Sequence, residues 1–188
     1  MLNEQIKENT KQHHQELEKV VVVKIKGMES KSDYADLLQH FYTFFNAVEN
    51  DLQNNLPESL KEYAATRRNA QHIAQDLNEL GYSLDQNYVA TRPNITNVNQ
   101  AIGALYVLEG SIMGGPYIVK MLQQKGIDTG FNFFTGYGEQ SREKWAQFTS
   151  IINNEVSNEA DIQEAIEAAQ ETFNAFGKTF ESNANVRN

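Results

Sequence analysis

A chain of 188 residues with a net charge of −9 is long enough for one sizeable core and reads as a single domain over residues 1–188, ordered over about 3–181. The acidic balance argues against a nucleic-acid partner, which would need a basic face; the lack of Cys excludes a disulfide framework, a thiolate metal site and a Cys nucleophile. With neither a signal peptide nor an apolar span of about twenty residues, the expectation is a cytoplasmic protein with no membrane partner.

Helical periodicity then dominates in chain order. A first helix is expected over 3–20, with Ile6, Thr10, Leu17 and Val21 on one face. The run Val20-Val-Val-Val23 favours a strand locally, but it is short and isolated, and reads as the helix end before a turn at Gly27. Ser32 is the expected cap of a second helix through Leu37, Phe41, Phe45 and Val48. After Pro57 a third helix is expected to about Leu80, interrupted near Thr66 and stopped by Gly81. Residues 82–97 read as a long connection. A glycine-rich helix follows over about 98–125, stopped by Gly126, and Gly130–Gly138 reads as an aromatic loop. Helices are expected over about 140–155 and 159–181, with a polar, fraying tail. The fold class is all-α.

The glycine-rich helix is the most informative element. Gly103, Gly110, Gly114 and Gly115 lie inside an apolar stretch, where each costs roughly 1 kcal/mol relative to Ala. Pro116 removes a backbone donor and leaves the Ile112 carbonyl without its usual partner. Such a helix is expected to kink and to let something flat approach its backbone. Close packing by another helix explains the same glycines about as well.

Four histidines exist: His13, His14, His40 and His72. No Glu-x-x-His pair supports a di-iron bundle, and no Walker A pattern or nucleophile elbow occurs. His13 and His14 flank the apolar stripe of the first helix, and angle alone does not choose between them. Glu18, four residues after His14, could fix its tautomer and leave the other ring nitrogen for a metal.

These pieces together resemble heme oxygenase, in its bacterial, biliverdin-forming branch. Thr10-Lys-Gln-His-His14-Gln-Glu-Leu-Glu18 resembles the family's proximal helix, and Tyr34–Tyr42 followed by Glu49 its second helix. Arg67-Arg68, Asp76-Leu77 and Leu80-Gly81 resemble the next block. Leu105-Tyr-Val-Leu-Glu-Gly-Ser-Ile-Met-Gly-Gly115 resembles the distal helix, and Phe134-Thr-Gly-Tyr-Gly138 with Trp145 and Phe148 the bacterial branch in particular. The order and spacing of these segments make the set strong.

The resemblance implies heme as cofactor and substrate, held between the first helix and the glycine-rich helix. It implies His14 as axial iron ligand with Glu18 behind it, Gly110, Gly114 and Gly115 lying close over the heme face, and Phe173 and Phe180 closing the pocket. The implied reaction uses O2 and an external electron donor, of ferredoxin or flavin-reductase type, to give biliverdin, CO and iron; a bilin-accepting protein is a further implied partner. Animal members carry an Asp directly after the first distal glycine. This chain has Ser111, so Ser111 and Gly110 are the catalytic candidates, and a non-catalytic heme carrier or sensor is the alternative. The animal members' basic propionate pair has no counterpart in Trp145–Ile152; Lys144, Arg142, Lys19, Lys24 and Lys26 are substitutes, and Lys11, Lys19, Lys24 and Lys26 are candidates for docking an acidic donor.

Overall fold

The computed structural model describes residues 1–186 and contains no strand among them. The expected first helix is two. Helix α1 (Leu2–Asn9) and helix α2 (Lys11–Lys26) meet at Thr10. There the backbone leaves helical geometry (φ −104°, ψ 1°) and the hydroxyl donates to the Ile6 carbonyl at 2.7 Å. The valine run stays helical because Val21 and Ile25 are buried, so tertiary packing overrides local β-preference.

Helix α3 (Lys31–Leu52) is capped by Ser30, not Ser32. Extended Ser30 accepts the Asp33 amide while the Asp33 carboxylate takes the Ser30 N–H at 2.9 Å, a reciprocal pair that settles two orphan donors. Helices α4 (Glu58–Thr66) and α5 (Ala70–Glu79) confirm the break after Thr66. Gly81 (φ +84°) and Gly126 (φ +78°) end their helices in the left-handed region, which a Cβ disfavours.

Helix α6 (Val98–Gln124) runs through the centre as one element, Pro116 included. It corrects the expectation that no such apolar span exists: among the described residues it is the one helix long and apolar enough to cross a membrane, yet more than half of its apolar window is buried in the fold. Helix α7 (Ser141–Glu155) and helix α8 (Glu159–Ser182) follow. Helix α8 lies against α6 so closely that a Cβ on Gly103 would stand 2.1 Å from the Ala165 carbonyl oxygen. The expected fraying of the tail is corrected in part. Asn183 is buried and bonds both the N–H and the carbonyl of Val89, tying the chain end to the 82–97 connection; residues 187–188 lie outside the described residues.

Buried side chains from all eight helices join one hydrophobic cluster, with stacked Phe44 and Phe176 (4.2 Å between centroids) near its middle. The aromatic loop is anchored to it. Asp76 accepts the amides of Asn132 and Phe133 at 2.7 and 2.9 Å, and Tyr34 donates to the Gly130 carbonyl at 2.5 Å.

Candidate functional site

The structure separates the two neighbouring histidines. His14 lies on the face of α2 that carries Val21 and Ile25, seven and eleven residues on, and those are buried. Its own side chain is 60% exposed, so the same face opens to solvent at its N-terminal end. Glu18 Oε2 stands 3.9 Å from Nδ1, beyond hydrogen-bond reach but on the side that favours an Nδ1–H tautomer. Phe173, buried on α8, meets the His14 ring edge-on at 5.8 Å. His13 instead lines a polar cavity of about 320 Å3 with Arg92, Gln170, Asn174 and Lys178, on the α8 side. His40 is buried, stacked on Phe180 at 4.7 Å, and His72 sits against Asn69 at the start of α5. Phe180 therefore belongs to the core around His40.

The glycines of α6 divide between the two explanations open at the sequence. Gly103 serves the α8 contact. Gly115 serves the aromatic loop, because a Cβ there would stand 1.9 Å from the Phe134 carbonyl oxygen. Gly110 and Gly114 lie on another face, which they share with Met113 and Tyr117 at helical spacing i, i+3, i+4, i+7. A Cβ on Gly114 would meet nothing within 4 Å, and one on Gly110 only Trp145 at 3.9 Å. Met113 and Tyr117 are 49% and 58% exposed. Thus α6, packed against α2 along part of its length, keeps one face smooth, apolar and open.

Beneath that face lies a buried polar network that sequence reading missed. Glu109, fully buried, accepts from Arg67 Nε at 2.5 Å, Tyr63 at 2.6 Å and Tyr137 at 3.2 Å. Arg67 reaches on to Glu49 at 2.6 Å. Burial alone would lower the Arg67 pKa, but Glu109 and Glu49 outweigh it and keep the guanidinium charged. Burial and Glu109 together raise the Tyr63 pKa, so its phenol stays a donor.

Arg68 turns the other way. Its guanidinium lies over the Phe133 ring (3.8 Å to the centroid) and donates to the Phe133 carbonyl at 2.9 Å, the Leu108 carbonyl at 3.2 Å and Ser111 Oγ at 2.6 Å. Burial pulls its pKa down to about 10, against the opposing pull of Glu109. Both arginines sit in the break between α4 and α5, which turns them inward. One signal was present in the sequence: Glu109 is the lone charge in a long apolar run, and a carboxylate there needs a buried cationic partner.

Among the lysine candidates, Lys24 is already engaged. It pairs at 2.6 Å with buried Asp36, which Tyr88 also bonds. Lys144 lies 5.8 Å from the rings of Tyr63 and Tyr137. Lys11, Lys19 and Lys26 make no ion pair among the described residues.

An exposed imidazole on one helix, and on the helix it packs against an apolar face left without side chains at Gly110 and Gly114, suit a wide flat ligand. In this all-α fold they mark α2 and α6 as the candidate binding walls. The family model for heme oxygenase matches residues 1–182, and the chain belongs to that family. It is 26% identical over 174 residues to heme oxygenase PigA of Pseudomonas aeruginosa, covering 92% of this chain and 87% of that protein. It is 27% identical over 145 residues to heme oxygenase of Xanthomonas campestris, covering 76% of this chain and 86% of that one. The fold matches the NO- and CO-bound heme oxygenase of Neisseria meningitidis with a TM-score of 0.75 at 23% identity, covering 97% of this chain and 91% of that one. It also matches the heme complex of heme oxygenase-1 from Synechocystis, with a TM-score of 0.70 at 18% identity and the same coverages.

Proposed function

We propose that this chain, acting as one domain in the cytoplasm, cleaves heme with O2 and an external reductant to biliverdin, CO and ferrous iron, at a slot walled by α2 and α6. Heme, when bound, supplies the iron that activates oxygen and the ring that is opened. The residues of this chain bind and orient it. His14 would hold the iron through Nε2, with the Glu18 carboxylate standing 3.9 Å from Nδ1 on the other side of the ring. Gly110 and Gly114 leave room for the porphyrin and for a small diatomic between it and the helix, where any larger side chain would intrude. Met113, Tyr117 and Phe173 line the slot with apolar surface. Ser111 sits beside that face, where it can order water near the reacting side.

The observation that carries an enzyme over a passive carrier is the built polar network. A carrier needs an axial ligand and an apolar slot. It does not need a fully buried Arg68 aimed at a hydroxyl on the edge of the open face. Lys11, Lys19 and Lys26, on the histidine-bearing helix, suit an acidic donor of ferredoxin or flavin-reductase type, against the −9 background. A bilin-accepting protein would take the product. The test is product analysis of heme-loaded protein given ascorbate or reduced ferredoxin in air: one CO and one bilin released per heme are expected. Quantitative transfer of intact heme to an acceptor protein, with neither product under any reductant, would make the chain a carrier.

A further inference from the structure

We propose that Ser111, at the margin between the open side of α6 and the face that Gly115 presents to the aromatic loop, offers a neighbour a hydrogen-bond acceptor only, and that buried Arg68 is the positioning residue that holds it so. The argument is one of proton inventory. Ser111 Oγ lies 2.6 Å from the Leu108 carbonyl oxygen and 2.6 Å from a terminal nitrogen of Arg68. Two oxygens at that separation need a proton between them. A carbonyl has none, so it is the serine's own. Arginine has no acceptor, so it donates to Ser111. A hydroxyl has one proton and two lone pairs. The proton is committed to Leu108, one lone pair is committed to Arg68, and a single lone pair remains.

The consequence concerns the reading of this face as the heme wall, and rests on it. A water or ligand group next to Ser111 must donate to it. Protons therefore reach the reacting side from water ordered by Ser111, and not from Ser111 itself. An acceptor oxygen has the same polarity as a carboxylate, so Ser111 offers the hydrogen-bond direction that an Asp would, without the charge. Arg68 already stands where a carboxylate at 111 would find its counter-ion. Its present acceptors, two carbonyls and a hydroxyl, are all neutral.

The test uses heme-free protein, so it is independent of the heme reading. In isotope-labelled wild type, the Ser111 hydroxyl proton should give a slowly exchanging resonance with a cross-peak to the Leu108 carbonyl carbon. Arg68→Lys, which has no planar fork, should return that proton to fast exchange. Ser111→Ala strips a buried cation of an acceptor and should lower Tm by roughly 3–8 °C, Ser111→Thr by under about 2 °C, and Ser111→Asp should sit at or above wild type. A wild-type hydroxyl proton in fast exchange would overturn the proposal, as would Ser111→Asp melting no higher than Ser111→Ala. The serine series decides even if Arg68→Lys fails to fold. If the wild type shows these signatures but binds no heme, the functional reading fails and the assignment of polarity stands.

Discussion

Gly114 and Gly115 are neighbours in sequence with opposite surroundings, so alanine at each should move stability in opposite directions. At Gly115 a Cβ would stand 1.9 Å from the Phe134 carbonyl oxygen and 2.9 Å from its carbon. Both are backbone atoms of a loop pinned by Asp76, so the strain cannot be relieved by a rotamer change. Overpacking of this kind costs about 1–3 kcal/mol, and the upper end applies here. Helix propensity returns about 1 kcal/mol. The net loss of about 2 kcal/mol corresponds to a Tm roughly 4–8 °C lower. At Gly114 nothing lies within 4 Å. Only the propensity gain remains, about 1 kcal/mol, and Tm should rise by about 2–4 °C. Calorimetry on heme-free protein reads both. The gain should come with a loss of function, because the methyl fills the open face: heme affinity should fall for Gly114→Ala and further for Gly114→Leu. Gly115→Ala as stable as wild type would refute the packing argument. Gly114→Leu with full heme affinity would refute the assignment of the open face to heme.

Other perturbations follow from the same geometry. His14→Ala should abolish the axial-histidine absorption spectrum of the heme complex, whereas His13→Ala should leave it intact; the reverse result would move the ligand by one residue. Glu109→Ala leaves Arg67 buried without its main counter-ion and should destabilise by about 3–5 kcal/mol, read as a urea midpoint shift, because a broken buried pair leaves an uncompensated charge. Asp36 gives a pH signature. Burial pushes its pKa up, but the Lys24 ammonium and the Tyr88 hydroxyl outweigh burial and hold it below the ordinary 3.8. A depressed folded value contributes stability that is fully present above the unfolded pKa and lost as pH falls through the folded one. Wild type should therefore be more stable than Lys24→Met at neutral pH, and the gap should narrow in urea titrations as pH drops below that of an unfolded Asp. A gap that stays constant down to strong acid would contradict the pairing.

The helices were legible because their apolar faces repeat at helical spacing and because Gly81 and Gly126 punctuate them. The histidine-bearing helix and the glycine-opened helix were legible as candidates for the same reason. What the sequence hid were features that need partners far along the chain. The first helix breaks at Thr10, where the backbone leaves helical geometry, which no periodicity signals. Ser32 is the cap expected from the sequence, and Ser30 takes its place because the Asp33 carboxylate closes back on it. Arg67 and Arg68 stand out in the sequence as a motif but without a role, since burial of a guanidinium depends on Glu109, Glu49 and the loop carbonyl of Phe133. Lys24, a candidate for propionate or donor contact, is spent on Asp36 of α3, a partner that no local pattern signals. Equivalence of the four glycines failed for the same reason: Gly103 and Gly115 face backbone that only the fold brings near.

The central claim is that exposed His14 and the open face at Gly110 and Gly114 are the two walls of one slot. A crystal structure of the heme complex measures this most directly. The account predicts iron bonded to Nε2 of His14, with the backbone of Gly110 and Gly114 over the opposite face and Ser111 at its edge. Iron bound by His13, or a porphyrin seated in the cavity that His13 lines, would contradict it.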